Sequence, residues 1–334
     1  MSGRSVSILG GGSWGTALAV LLTRRGHRVV MWEFQKNLAE KISLTRINEM
    51  FLPGVQIPDS VIITSDIEQA IEGGEYIIFA VPSHTVRSVA RQISSLPLNQ
   101  KKFISTSKGI ENESLLRMSE IILNEIPSAD HDNCAVLSGP SFAAEVAREI
   151  PTAVVAASYN ISYACEVQAL FMCPSFRVYI NEDVAGVEYG GAFKNVVAIA
   201  TGIVDGVGFG DNSKAALLTR AMVEITRLGV KLGADAKTFS GLSGMGDLIL
   251  TCMGKLSRNL YVGQELGKGR KPNDILQGMV NVAEGVKTAQ AVRHLSEQTG
   301  VETPIMEQVY RILFEDKNPH EAAIELMTRE PKAE

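Results

Sequence analysis

Cysteine is scarce and long hydrophobic runs are absent in this chain of 334 residues. Its four cysteines, Cys134, Cys165, Cys173 and Cys252, form no CxxC pair and no zinc-ligand spacing. A disulfide framework and a structural metal are therefore not expected, whereas reduced thiols in a cytoplasmic protein are. No uncharged apolar run reaches the roughly 18 residues that span a bilayer, so we expect no membrane span.

A basic segment is also missing from the chain. Lysine and arginine number 32 against 37 acidic residues, which gives a formal net charge of −5, and no basic block could follow a phosphate backbone. We therefore expect neither nucleic acid nor an anionic membrane as a partner. A phosphorylated small molecule would have to be bound by a few local cations.

The length exceeds the roughly 250–300 residues at which single cores stop growing, so two domains are expected. Short apolar runs alternate with amphipathic stretches in residues 1–181, as in a parallel sheet covered by helices. Residues 182–334 show only helical spacing. We predict an α/β domain over 1–181 and an all-α domain over 182–334. The predicted strands are Val6–Leu9, Val29–Trp32, Val61–Thr64, Tyr76–Val81, Phe103–Thr106, Ala135–Ser138, Ala153–Ala157 and Arg177–Ile180.

A glycine-rich segment follows the first predicted strand. Gly10, Gly12 and Gly15 satisfy the pattern G-x-G-x-x-G, with Ser13 and Trp14 between the last two glycines. A helix over 14–25 and a second strand complete a βαβ unit, so the helix N-terminus can receive a pyrophosphate. The context predicts a Rossmann dinucleotide-binding domain rather than a glycine turn without function.

Glu33 ends the second predicted strand, where an acid can accept hydrogen bonds from the adenosine ribose and repel a 2′-phosphate. This position favours NAD over NADP. The alternative is a solvated carboxylate at a strand end.

One lysine stands out on an apolar helix predicted over 183–204. Between Asp183 and Asp205 the charged residues are Glu188 and Lys194, and the helical neighbours of Lys194 are small. Small neighbours leave room for another molecule beside the amine, which could serve as a general base or acid. The alternative is a lysine whose amine reaches the surface.

Two later segments carry further polar groups. Asp247 follows a glycine-rich turn and either orients Lys194 or caps a helix. Ser257, Arg258 and Asn259 open a helix that ends at Gly267, and a guanidinium beside a helix N-terminus favours phosphate. An ordinary N-cap beside a solvated arginine is the alternative.

Two segments of the first domain each follow a predicted strand. Lys108 offers a second cation to a substrate oxygen, and the turn from Gly139 to Ser141 offers hydrogen-bond donors and a close backbone approach. We expect both at a cleft.

Together these segments resemble the NAD(P)-dependent glycerol-3-phosphate dehydrogenases of the bacterial type. The matching motifs run along nearly the whole chain: GGGSWG at 10–15, AVPSH at 80–84, SKG at 107–109, SGPSFA at 138–143, GAFKN at 191–195, GLSGMGDL at 241–248, SRN at 257–259 and AEG at 283–285. The resemblance implies a Rossmann domain followed by a helical domain like the C-terminal domain of 6-phosphogluconate dehydrogenase, usually in a homodimer. It implies interconversion of sn-glycerol 3-phosphate and dihydroxyacetone phosphate with NAD or NADP, for phospholipid synthesis.

The resemblance also implies roles for individual residues. Lys194 becomes the proton acceptor, and the residues around the substrate are Lys108, Gly139, Ser141, Asp247, Ser257, Arg258 and Asn259. The cofactor contacts are Ser13, Trp14, Phe34, Lys108, Ala143, Arg258, Val282 and Glu284. Some relatives that use NADPH carry a basic residue where this chain has Glu33 and Phe34.

The mechanism predicted from these residues has Arg258 and Asn259 anchor the phosphate while Lys194 exchanges a proton with the C2 oxygen. Lys108 would stabilise the oxyanion and Asp247 would orient Lys194. Burial would lower the pKa of Lys194 whereas Asp247 would raise it, and the sequence leaves the balance open.

Three other classes of protein are alternatives to this dehydrogenase. A β-hydroxyacid dehydrogenase of the 6-phosphogluconate type has an asparagine four residues after its lysine, where this chain has Ala198. A non-catalytic dinucleotide sensor would not need the lysine, the aspartate and the phosphate site together. An S-adenosylmethionine methyltransferase would have no role for the downstream cations. Cofactor preference, reaction direction, feedback and oligomeric state stay open.

Overall fold

The computed structural model describes residues 3–279 and 282–330. Two compact units form, one from the described residues within Met1–Lys108 and Leu116–Glu188, the other from those within Gly109–Leu115 and Tyr189–Glu334. The division falls inside a helix, Val184–Val207, that runs on from the first unit into the second. It therefore lies beyond the boundary predicted after Asn181, because the first turn of that helix packs with the sheet domain.

The strands agree with the periodicity of the sequence. They are β1 Ser5–Leu9, β2 Arg28–Trp32, β3 Ile47–Asn48, β4 Leu52–Gln56, β5 Ile62–Thr64, β6 Tyr76–Phe79, β7 Lys102–Ser105, β8 Cys134–Ser138, β9 Thr152–Ala157 and β10 Phe176–Asn181. Every predicted strand is present. The short pair β3 and β4 was not predicted, because two residues of β3 are too few to show an alternating pattern.

The helices surround the strands in the first unit and make up most of the second. They are α1 Ser13–Arg24, α2 Lys36–Thr45, α3 Ile67–Glu72, α4 Val86–Ile93, α5 Met118–Glu125, α6 Ala143–Ala147, α7 Ile161–Phe171, α8 Val184–Val207, α9 Asp211–Lys231, α10 Ala236–Phe239, α11 Asp247–Met253, α12 Arg258–Gly267, α13 Pro272–Gln277, α14 Glu284–Thr299, α15 Pro304–Phe314 and α16 Pro319–Met327. Ser83–Thr85 forms a 3₁₀ turn and Leu242–Gly246 a π-helical turn.

The first unit is a twisted sheet with helices on both faces. Its strand order is β10-β9-β8-β7-β6-β1-β2-β5. One apolar core includes α1 and α7 side chains and the other includes those of α3, α4 and α5. The predicted parallel sheet covered by helices is confirmed, and within it one neighbouring pair, β8 and β9, is antiparallel. The carboxyl ends of β1, β6, β7 and β8 share one edge, where ligands collect in such sheets.

The second unit is helical around α8. Glycines let α8 and α12 approach closely: a Cβ on Gly202 would lie 2.1 Å from the carbonyl oxygen of Leu260, and one on Gly263 would lie 2.0 Å from that of Ile199. This contact holds the α12 backbone against the helix that carries Lys194. Of the helices described, none is both long enough and apolar enough to cross a bilayer.

Candidate active site

The glycine loop lies between the end of β1 and the start of α1. Gly10 has φ of +120°, and a Cβ there would lie 2.7 Å from the carbonyl oxygen of Ala80. A Cβ on Gly15 would lie 1.9 Å from the oxygen of Gly10, so the chain's own packing requires both glycines. A Cβ on Gly12 would meet no atom within 4 Å. Gly12 therefore borders open space at the N-terminus of α1, as a pyrophosphate site requires.

Glu33 points back toward this loop. Glu33 is 3% exposed, and its carboxylate accepts hydrogen bonds from the N–H of Gln35 at 3.0 Å and from that of Gly11. Burial raises the pKa of Glu33, and the two N–H groups oppose that rise. The carboxylate is not a solvated strand end, so that alternative was wrong. Its contact with a ribose stays a prediction.

The other predicted cofactor residues of the first unit lie around the same sheet edge. Ser13 donates its hydroxyl to the carbonyl oxygen of Phe51 at 2.7 Å, and Trp14 packs against the core. Phe34 is 68% exposed just beyond β2, and Ala143 begins α6. An exposed ring after β2 can cover an adenine, which stays a prediction.

Lys108 and the Gly139 turn are brought together beyond β7 and β8. The Lys108 amine and the Ser141 hydroxyl each donate to the carbonyl oxygen of Gly139, both at 3.0 Å. Gly139 has φ of +134°, and a Cβ there would lie 2.9 Å from the Cα of Val154. The structure brings these three residues together. Their predicted place at a cleft and their contact with a substrate stay predictions.

Lys194 is buried in the second unit and paired there. It is 6% exposed, so the alternative of an amine at the surface was wrong. Its Nζ donates to Asp247 Oδ1 and to Thr251 Oγ1, both at 2.7 Å. Asp247 is the first residue of α11 and 1% exposed, and Gly246 occupies the N-cap position. The Asp247 carboxylate pairs with Lys194, and its role in orienting the amine stays a prediction.

Thr251 was missed by the sequence reasoning. It lies four residues after Asp247 on α11, and its hydroxyl also donates to the Asp247 carbonyl oxygen at 2.6 Å. The spacing places both side chains on one helix face and could have indicated the pair. The room expected beside Lys194 at Gly190 is partly filled by the chain, since a Cβ on Gly190 would lie 2.7 Å from the Ser243 carbonyl oxygen.

The start of α12 carries the predicted residues, and two of them, Ser257 and Asn259, form hydrogen bonds within the protein. Ser257 caps the helix by accepting from the N–H of Leu260 at 3.2 Å. Arg258 is exposed and interacts electrostatically with Glu284, the first residue of α14. Val282 lies two residues earlier and is 36% exposed.

Asn259 is 7% exposed, and its amide binds two groups of the protein. Its Nδ2 donates to Asn195 Oδ1 and its Oδ1 accepts from the N–H of Gly285, both at 3.0 Å. This chain of hydrogen bonds joins α8, α12 and the first turn of α14. It keeps Arg258 and Glu284 on adjoining helix ends. Asn195 was not predicted as part of this cluster.

Within residues 3–279 and 282–330, no group of three or more histidine, cysteine, aspartate or glutamate side chains is arranged to hold a metal ion. The cysteines Cys134, Cys165, Cys173 and Cys252 are free thiols.

Two family descriptions match the chain. The N-terminal part of the NAD-dependent glycerol-3-phosphate dehydrogenases matches residues 5–164, and the C-terminal part matches residues 183–324. A protein of Geobacter metallireducens named glycerol-3-phosphate dehydrogenase, NAD(P)+, is 48% identical over 332 residues, which cover 99% of both chains. One of the same name from Chlorobium luteolum is 49% identical over 329 residues, 98% of this chain and 99% of that one.

A solved structure shows the same fold. The glycerol-3-phosphate dehydrogenase of Coxiella burnetii superposes with a TM-score of 0.93 at 36% identity, covering 98% of this chain and 99% of that one. This chain therefore matches these relatives along nearly its whole length. The match includes the sheet domain, the glycine loop and the buried pair of Lys194 and Asp247. The chain belongs to the NAD-dependent glycerol-3-phosphate dehydrogenase family.

Proposed function

We propose that this chain interconverts sn-glycerol 3-phosphate and dihydroxyacetone phosphate with a nicotinamide dinucleotide, and so supplies glycerol 3-phosphate for phospholipid synthesis. The observation that carries the proposal is the buried Lys194 amine, held at 2.7 Å by both Asp247 and Thr251. A buried lysine on a helix has few structural uses, because its desolvation is costly. Proton transfer to a carbonyl oxygen is a use that accounts for it.

Lys194 is the proton donor and acceptor in this mechanism. In the reduction its ammonium group gives a proton to the C2 carbonyl oxygen, and in the oxidation the nitrogen takes the proton of the C2 hydroxyl. Asp247 and Thr251 fix the amine in one orientation, so little reorganisation is needed during proton transfer. Thr251 is both an acceptor for the amine and a donor to the Asp247 backbone, which stiffens the pair.

Arg258 and the α12 N-terminus are assigned to the substrate phosphate. A guanidinium can donate two parallel hydrogen bonds to phosphate oxygens, and the helix dipole favours the same charge. Asn259 contributes by holding Arg258 in place, since its amide groups already bind Asn195 and Gly285. The predicted contact of Asn259 with the phosphate stays a prediction, because these two bonds use one of the two Nδ2 hydrogens.

The glycine loop is assigned to the dinucleotide pyrophosphate. Open space beside Gly12, at the end of a parallel strand and the start of a helix, fits that group. When bound, the nicotinamide supplies the two electrons and the hydrogen that reduce the C2 carbonyl. The buried Glu33 carboxylate disfavours a 2′-phosphate nearby, so we expect NADH to be preferred over NADPH.

The proposal also includes the oligomeric state and the cellular location of the protein. We infer a homodimer, as is usual for the family that the sequence resembles, with a test by sedimentation for twice the chain mass of 36.1 kDa. We infer a cytoplasmic location from the sparse, scattered cysteines of the sequence.

The decisive assay is the loss of NADH absorbance on addition of dihydroxyacetone phosphate, run beside NADPH. We expect turnover with both the substrate and NADH present, and a lower kcat/KM with NADPH. A protein that binds NADH without oxidising it would instead be a dinucleotide sensor. Turnover of a β-hydroxyacid in place of dihydroxyacetone phosphate would favour the 6-phosphogluconate type.

A further inference from the structure

The hairpin of β3 and β4 contacts the dinucleotide loop through one buried side chain. Asn48 in β3 is 0% exposed. Its Nδ2 donates to the Gly11 carbonyl oxygen at 2.7 Å and to Thr16 Oγ1 at 2.9 Å. Its Oδ1 accepts from the N–H of Phe51 at 3.2 Å. Both amide hydrogens and the amide oxygen of Asn48 are therefore engaged.

The orientation of this amide is fixed by chemistry. The Gly11 oxygen can only accept a hydrogen bond and the Phe51 N–H can only donate one. Exchanging the Asn48 nitrogen and oxygen would place like groups against both partners. Ser13 forms a second hydrogen bond between the loop and the hairpin, because its hydroxyl donates to the carbonyl oxygen of Phe51 at 2.7 Å. The hairpin thus holds the loop at Gly11 and at Ser13.

The two peptide groups that flank the Gly11 Cα are each held by a side chain. The Gly11 carbonyl oxygen binds Asn48, and the Gly11 N–H donates to the Glu33 carboxylate. In a planar trans peptide the carbonyl of one residue and the N–H of the next point in opposite directions. Fixing the Gly11 carbonyl therefore fixes the direction of the Gly12 N–H. This group lies at the N-terminus of α1, where N–H groups have no partner within the helix.

We propose that Asn48 is a positioning residue for the dinucleotide: by holding the Gly11 carbonyl, it aims the Gly12 N–H away from the hairpin for the pyrophosphate. The inference rests on the proposed binding of the dinucleotide at the glycine loop. Without Asn48, the Gly11–Gly12 peptide can rotate, and cofactor binding must first select the one competent orientation. Cofactor affinity falls as a result, while proton transfer at Lys194 is unaffected.

The test compares two asparagines with the same kind of bonding. Asn133, just before β8, donates through Nδ2 to the carbonyl oxygens of Lys101 and Ser128, and its Oδ1 accepts from the N–H of Asp130. It lies at the amino-terminal edge of the parallel strands, the edge opposite to the glycine loop. Asn133→Ala therefore removes an equivalent set of hydrogen bonds away from the loop.

Asn48→Ala is expected to raise the Kd for NADH about tenfold, which corresponds to the loss of about one buried hydrogen bond in orienting the loop. The KM for NADH should rise in parallel, with kcat at saturating NADH and the KM for dihydroxyacetone phosphate within about twofold of wild type. Asn133→Ala should lower the melting temperature and leave the Kd unchanged. Quenching of tryptophan fluorescence by NADH reports the Kd.

A second variant provides the test if Asn48→Ala does not fold. Thr16→Val keeps the side-chain shape but removes the hydroxyl that accepts from Asn48 and donates to the Gly11 oxygen at 3.4 Å. We expect it to raise the Kd for NADH about threefold. A wild-type Kd in folded Asn48→Ala or, where that variant does not fold, in Thr16→Val would overturn the inference. An equal loss of affinity in Asn133→Ala would do the same.

Failure of the proposed function gives a different result. If the wild-type chain bound neither NADH nor NADPH, or if Gly12→Val bound NADH as tightly as wild type, the dinucleotide would not occupy the glycine loop. If both controls behave as expected and the Asn48 and Thr16 variants do not, only the positioning role of Asn48 is refuted.

Discussion

At the scale of single residues, chemistry depends on how a few buried polar groups are paired. Lys194, Asp247 and Thr251 come from two helices and are all buried, and the Lys194 amine donates to the other two side chains at 2.7 Å. Such preorganisation is what a proton-transfer step requires. The same arrangement would be an unexplained cost of folding in a protein that only bound a dinucleotide.

Replacement of Lys194 by alanine is expected to lower kcat by about a thousandfold, the usual size of a general acid–base contribution. The Kd for NADH should stay near wild type, because the glycine loop belongs to the other compact unit. Steady-state kinetics and a fluorescence titration measure the two quantities.

Lys214→Ala is the matched control for this variant. Lys214 pairs with Asp205 at 2.5 Å in the same unit, apart from the residues assigned to the site. Its loss should leave kcat unchanged. Turnover of Lys194→Ala within about tenfold of wild type would exclude the assigned role.

Arg258→Ala is expected to raise the KM for dihydroxyacetone phosphate by about 10- to 100-fold and to change kcat less, because a charged hydrogen bond to the phosphate is lost. Arg258→Lys should recover only part of the affinity, since an ammonium group cannot form the paired hydrogen bonds of a guanidinium. The substrate dependence of the initial rate measures both.

Arg270 provides the comparison for Arg258. It lies just beyond the other end of α12 and pairs with Glu265 at 2.7 Å. Arg270→Ala should keep the wild-type KM. A similar KM change in both variants would mean that general charge, rather than a local phosphate site, attracts the substrate.

At the scale of elements, α8 is held at its start by a buried ion pair. Glu188 accepts from Arg117 Nη1 at 2.9 Å and from the N–H of Ser119 at 2.9 Å, and both charged side chains are buried. This pair ties the first turns of α8 to the beginning of α5. It also accounts for the charge of Glu188, for which the sequence suggested no role.

Glu188→Ala should lower the free energy of unfolding by about 3–5 kcal/mol, because it leaves the Arg117 guanidinium buried without its main partner. Urea denaturation followed by circular dichroism measures the change. Glu120 also binds Arg117, at 2.7 Å, but its side chain is 34% exposed. Glu120→Ala should therefore cost only about 1 kcal/mol, and equal losses in the two variants would contradict the distinction.

At the scale of the whole molecule, the buried carboxyl group of Glu224 should contribute to the pH dependence of stability. Glu224 on α9 is 4% exposed and accepts from the N–H of Ile305 and Met306 at the start of α15. Burial raises the pKa of Glu224 from 4.5 to about 7, while those N–H groups and the positive charges of Arg227 and Arg329 oppose the rise.

The folded protein thus binds this proton more tightly than the unfolded chain does. The stabilisation is complete below pH 4.5 and is lost as the pH rises through about 7. Its size is about 3 kcal/mol, at about 1.4 kcal/mol for each unit of pKa. Glu224→Gln should remove this slope from a plot of unfolding free energy against pH. Glu321→Gln, exposed on α16, should keep it; a wild-type slope in Glu224→Gln would refute the assignment.

Local pattern was enough to predict much of the fold and to select candidate site residues. The predicted strands, the glycine loop after β1 and the lysine on an apolar helix depend on neighbours along the chain, and the fold and the family are confirmed. The roles of the site residues stay predictions, with the geometry of Lys194 and Asp247 in their support.

Contacts between distant segments could not be predicted from local sequence pattern. Asn48 is 37 residues from Gly11 and Asn259 is 64 residues from Asn195, and no periodicity links such partners. The antiparallel β9 likewise depends on which strand edge the chain meets, not on its own residues. The sequence by itself determined which chemical groups this protein has and on which elements they lie, because those signals are local. Only the tertiary structure decided which groups pair, because a buried donor must find its acceptor wherever folding brings one within about 3 Å.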